Sequence, residues 1–209
     1  MPINKIVATK RGKGAIAAAI VAAALGGWQS QRDTTPKVLP PAVILATDYL
    51  ILPWEGMVLK SHWDRFAKIY DICAGITRIN GKPVGPNMSF TRPQCEQMTR
   101  EQIYHDYWLP LVREVPGFLN FPVGVQAAML SGAYNFGVGS IKSRKGMAGS
   151  SATRFHMAGE YAKGCAAQLR FNKAGGEEIE GLNRRRGMGD EARIGEGEVC
   201  MSSLPKRGQ

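Results

Sequence analysis

Acidic residues are scarce in this 209-residue chain: 17 Asp and Glu stand against 27 Lys and Arg, for a formal net charge of +10. Such an imbalance points to a polyanionic partner: nucleic acid, an anionic membrane surface or an anionic wall polymer. No CxxC pair occurs, and the three histidines (His62, His105, His156) have no metal-ligand spacing, so a zinc site is not expected. A phosphate-binding loop and a dinucleotide fingerprint are both missing, and "GVGS" reads as a turn. Aromatics make up only 8% and no recognition-module motif is present, which argues against nucleic acid. There is no internal repeat. A hydrophobic share of 44% is enough for one domain with appendages.

The acids that are present cluster. "WEGMVLKSHWDRFAKIYDICAG" holds Glu55, Asp64 and Asp71 at spacings of nine and seven. Glycosidic bond cleavage needs two carboxylates in different environments, one protonated and one ionised. Glu55, beside Trp54 and an apolar helix, suits the protonated role through desolvation. Asp64 and Asp71, in more polar surroundings, suit the ionised one. Spacing alone is more often that of three surface acids.

The N-terminus carries Lys5, Lys10, Arg11 and Lys13 ahead of the charge-free "GAIAAAIVAAALGGW", residues 14–28. As a helix that run is about 23 Å long, short of a ~30 Å hydrocarbon core. Three readings stay open: a cleaved signal peptide with Ala22-x-Ala24 as its cleavage site, an uncleaved marginal anchor, or a buried Ala-rich helix. Residues 29–41 are polar and proline-bearing and read as a linker. This divides the chain into 1–28, 29–41 and a domain over 42–209. In that domain Pro40 and Pro41 start a helix that Pro53 ends or kinks next to Glu55. "YDICAGIT" and "RINGKPV" form a small hairpin lobe through Asn80-Gly81. From Thr91, an N-cap with Gln94 three residues on, the chain reads as helical to its end, with one helix from about Val123 to the glycines at 137 and 139 and another over "SATRFHMAGEYAKGCAAQLRF". Four cysteines (Cys73, Cys95, Cys165, Cys200) suit an exported protein, and their spacing leaves three pairings open.

"EGMVLKSHWD" followed by "DICAGIT" resembles the active-site segment of phage-type lysozymes, the T4-lysozyme-like glycoside hydrolases. "LSGAYNFGVGSI" and "CAAQLRFNKAGGEEIEGLNRRR" resemble later motifs of that family in the same order, and the similarity covers roughly residues 42–201. The apolar N-terminus is similar to that of signal-anchor-release endolysins. The resemblance implies an α+β, lysozyme-like fold, mostly helical, with a small β-hairpin lobe beside the active-site cleft. It implies a muramidase acting on peptidoglycan, monomeric, without cofactor or nucleic-acid partner. Such an enzyme is exported, held in the inner membrane through residues 14–28 and then released to the periplasm of a Gram-negative host. Glu55 would be the general acid, and Asp64 would hold water or stabilise positive charge. Asp71 stands where the family has Thr and would be a second base or a nucleophile, so inversion and retention both stay open. The family's Tyr and His in this strand are missing from "AGIT", which leaves a non-catalytic wall-binding scaffold as the alternative. One of Arg184, Arg185 and Arg186 would partner Glu55. Asn135 and Phe136 are expected to pack. The same family reading pairs Cys73 with Cys95 and Cys165 with Cys200.

Overall fold

A computed structural model describes residues 5–25 and 38–205. The expected linker over 29–41 therefore lies largely outside the described residues, as do Gly26 to Trp28.

Helix α1 (Lys10–Leu25) is capped by Thr9, whose hydroxyl accepts the Gly12 N–H at 2.9 Å. Its buried edge is Gly12, Ala15, Ala19 and Ala23, small side chains at helical spacing that admit close approach to the helices Pro41–Leu45 and Glu196–Ser202. A Cβ on Gly12 would lie 2.3 Å from Ser202 Oγ, so glycine is required there. The larger apolar residues Ile20, Val21 and Leu25 face outward. Among the described residues no helix is long and apolar enough to cross a membrane.

Helix α2 (Pro41–Leu45) runs into a wide π-helical turn (Ala46–Ile51) and then α3 (Leu52–Glu55). The turn explains how Pro53 is accommodated: proline has no N–H and its ring crowds the carbonyl four residues back, and local widening relieves both. The helix thus passes Pro53 and ends at Gly56, φ 76°, leaving Glu55 on its last turn.

Strands β1 (Val58–Asp64) and β2 (Ile69–Cys73) form an antiparallel hairpin. The expected hairpin over Asn80-Gly81 is a separate, shorter one, β3 (Arg78–Ile79) with β4 (Lys82–Pro83). Asn80 and Gly81 both have positive φ (51° and 77°), as the tightest hairpin turns require. The strand bearing Asp71 therefore pairs with β1 and not with the Arg78 strand. Ile72, Ile76, Val84 and Met98 pack around the Cys73–Cys95 disulfide as a core of the small lobe.

Helix α4 (Arg92–Gln102) begins with a full capping box between Thr91 and Gln94. It continues through a π-helical segment (Ile103–Trp108) into α5 (Leu109–Glu114). Helix α6 (Val123–Phe136) is buried along most of its length and ends at Gly137, φ 84°. The single helix expected over 151–171 is two, α7 (Ser151–Met157) and α8 (Tyr161–Gln168), because the chain turns at Gly159, φ 74°. Nor is the C-terminal part helical throughout. A hairpin of β5 (Lys173–Ala174) and β6 (Glu177–Glu178) turns on Gly175-Gly176 before α9 (Glu180–Arg186) and α10 (Glu196–Ser202). The Cys165–Cys200 disulfide joins α8 to α10, so both family-implied pairings are present.

His156 is buried among Phe121 and Tyr161, with neither ring nitrogen hydrogen-bonded among the described residues. Burial lowers its pKa from 6.5 to about 4. On acidification the unfolded chain therefore takes the proton first. Stability is full above about pH 6.5, falls as pH drops towards 4, and levels off below, a total loss of about 3 kcal/mol. Urea unfolding at several pH values is expected to show this slope in the parent and to lose about that much of it in His156→Phe; an unchanged slope would refute the assignment.

Candidate active site

Glu55 sits where α3 stops, its side chain about one-third exposed. Trp54, its neighbour in sequence, fixes the helix end. The indole N–H donates to Ile194 O at 3.0 Å, and the Arg193 guanidinium lies 3.8 Å over the ring. The group that meets Glu55 is Arg185 of α9, with Nη1 donating to Oε1 at 2.5 Å. Arg185 is buried, and its Nε and Nη2 have no hydrogen-bond partner among the described residues. Its Nε lies 3.8 Å from Glu196. Glu196, fully buried, is paired with Arg186 and accepts from Ser131 Oγ and Gln168 Nε2, each at 2.7 Å. Arg184 points elsewhere, to Glu180 on its own helix at 3.0 Å. Of the three candidate arginines, Arg185 is the partner of Glu55.

Asp64 ends β1. Its Oδ1 accepts the N–H groups of Phe66 and Ala67 at 2.7 and 3.0 Å, which tightens the hairpin turn. Those two backbone donors hold its pKa below the usual carboxylate range, so it stays ionised. Asp71 lies mid-strand in β2, directly opposite His62. Side chains of a strand alternate between faces, and directly paired residues share one. Asp64, His62 and Asp71 therefore stand on the same face of the hairpin. His62 Nδ1 and Asp71 Oδ1 are 2.6 Å apart. Partial burial pushes the Asp71 pKa up, against the pull of His62.

Tyr134 of α6 ties the two halves together. Its hydroxyl donates to Ala74 O at 2.6 Å, three residues past Asp71. The phenol is half-buried within electrostatic reach of Glu55, Asp71 and Arg185, and desolvation with those two carboxylates pushes its pKa well up. It stays a neutral donor. Asn135 bonds back to Ser131 O on its own helix, and Phe136 stacks on Phe171, so both pack.

His62, Tyr134 and Glu196 are the residues that sequence reasoning missed. Tyr134 had a signal, since it stands inside the quoted "GAYNF". Glu196 had none, lying ten residues beyond the arginine it neutralises. Among the described residues no cluster of His, Cys, Asp or Glu is arranged to hold a metal ion.

Glu55 at a helix end and the carboxyl groups of Asp64 and Asp71 on the hairpin that follows it give the differently placed acids that glycosidic bond cleavage requires. The chain belongs to the phage lysozyme family, whose profile matches residues 53–188. Among solved structures it is similar to an endolysin from Escherichia coli O157:H7 phage FAHEc1, with 26% identity, a TM-score of 0.55, and coverage of 86% of this chain and 100% of that one. The active form of the P1 phage endolysin Lyz shares the fold at 20% identity and a TM-score of 0.58, over 98% of this chain and 100% of that one. So does the muramidase domain of SpmX from Asticaccaulis excentricus, at 17% identity and a TM-score of 0.52, over 77% of this chain and 95% of that one. No curated protein matches the chain.

Proposed function

We propose that this chain is an endolysin: a muramidase that hydrolyses the β-1,4 bond between MurNAc and GlcNAc of peptidoglycan during phage-induced host lysis. The observation that carries the reading is the Glu55–Arg185 pair beside the Asp64 and Asp71 face of the hairpin. Glu55 is the general acid. Arg185 engages one of its oxygens, which leaves the other for the leaving glycosidic oxygen. Arg185 divides its charge between Glu55 and Glu196, so it orients the acid without being given over to it alone. Asp64, ionised, stabilises positive charge on the sugar. The Asp71 side of the hairpin serves the attacking water. The net charge of +10 suits an anionic wall and membrane surface.

The enzyme is exported, tethered to the inner membrane through residues 14–28 and then released to act as a monomer in the periplasm of a Gram-negative host. Two disulfides suit an oxidising compartment. Lys5 ahead of α1, the cations Lys10, Arg11 and Lys13 at its start and the outward Ile20, Val21 and Leu25 suit a helix that spends time against lipid. The test is a digest of purified Gram-negative peptidoglycan by the full chain, with products identified by mass. Reducing-end muropeptides are expected. Anhydro-muropeptides would mean a transglycosylase, and a folded, wall-binding chain that releases nothing would mean a scaffold.

A further inference from the structure

We propose that His62 is the catalytic base that takes the proton of the attacking water, with Asp71 as the carboxylate that orients it. The inference deepens the muramidase reading and rests on it.

The pair is built by register. A bulge between Val58 and His62 places two extra residues in β1, and only beyond it does His62 fall opposite Asp71. The two side chains are unequally exposed, 52% for His62 and 19% for Asp71. The carboxylate lies inside and the imidazole outside, on the face shared with Asp64. In this order the inner acid accepts the Nδ1–H and fixes the tautomer, and Nε2 is left with a free lone pair at the solvent side. Asp71 is unsuited to direct attack because one of its oxygens is already engaged by the ring, and because it is the recessed member of the pair. The groups facing it are His62, Asp64 and, from α6, Tyr134.

The step balances. A water O–H bond breaks and its proton passes to His62 Nε2. The water oxygen bonds to the anomeric carbon from the face opposite the leaving group. The glycosidic C–O bond breaks, its electron pair staying on the leaving oxygen, which takes the proton of Glu55. The imidazolium is then held by Asp71 and the Glu55 carboxylate by Arg185, until solvent takes the proton from His62 and supplies one to Glu55. Displacement from the opposite face inverts the anomeric centre, so a β-bond yields an α-product.

The experiment compares the full-length parent, His62→Ala, Asp71→Asn and Glu55→Gln on peptidoglycan, with kcat and KM separated and the initial anomer read by NMR. The expected result is a loss of about 10²–10⁴ in kcat for His62→Ala with little change in KM. Exogenous azide or imidazole is expected to restore turnover to His62→Ala and not to Glu55→Gln, and the parent product is expected as the α-anomer. Turnover within about threefold of the parent in His62→Ala, or a β-product with a sugar trapped on Asp71, overturns the assignment while leaving the muramidase intact. A parent that cleaves nothing overturns both.

Discussion

Replacing Glu55 with Gln is expected to lower kcat on peptidoglycan by about 10³-fold or more and to leave the fold unchanged. Gln keeps the shape and still accepts from Arg185, but it has no proton to give, and general acid catalysis supplies about 10²–10⁴ in rate. The side chain is about one-third exposed, and the buried Arg185 keeps both the Gln oxygen as acceptor and Glu196 at 3.8 Å, so only a modest fall in melting temperature is expected. Release of new reducing ends, measured beside thermal unfolding, checks both halves. Retained turnover in the Gln variant would remove Glu55 from the chemistry.

The second large effect concerns stability. Glu196→Ala is expected to cost about 3–5 kcal/mol, because it strands the Arg186 guanidinium in the interior. Arg186 is 2% exposed and Glu196 1% exposed. The substitution also removes an acceptor from Ser131 and Gln168. Replacing Arg186 and Glu196 together by apolar residues of similar volume is expected to recover most of the loss, since the penalty comes from one unpaired charge and not from the absence of the pair. Urea midpoints of the single and double variants decide it. A single variant that loses less than about 1 kcal/mol would mean that water reaches Arg186. Residual activity of the folded fraction would report how much Arg185 depends on Glu196 for its aim at Glu55.

How far the site was legible depended on how local its causes were. The helix carrying Glu55, the capping box of α4 and the end of α6 are set by residues within a turn or two, and they stand where expected. The identity of the arginine partner was not legible, because consecutive residues on a helix point about 100° apart and the rotation of α9 is set by packing. Strand β1 was missed because "VLKSHWD" has no clean alternation: every residue in it is exposed or half-exposed. Without β1 the His62–Asp71 pairing has no basis, since it follows from register across a hairpin and a bulge. The β5–β6 hairpin did leave a signal in Gly175-Gly176, and the helical reading of that region passed over it. The N-terminal run was readable as apolar, with a buried Ala-rich helix among its three open readings, but what it docks on was not legible. What docks it is Arg11 and Thr9 reaching Glu198 nearly the whole chain away, with Arg11 Nη2 at 2.6 Å from Glu198 Oε2.

The Cys165–Cys200 bond also has a topological meaning. It closes a covalent ring over a sequence separation of 35, and Arg185, Arg186 and Glu196 all lie inside that ring. So does the exposed turn at Gly175-Gly176, a natural place for proteolytic nicking. A cut there opens the ring without dividing the molecule: the fragment bearing Arg185 stays tied to α8 through sulfur. Only reduction after the cut turns one nicked chain into two pieces. As long as that bond stays oxidised, the half of the site that grips Glu55 is thus secured against a single break in its own backbone.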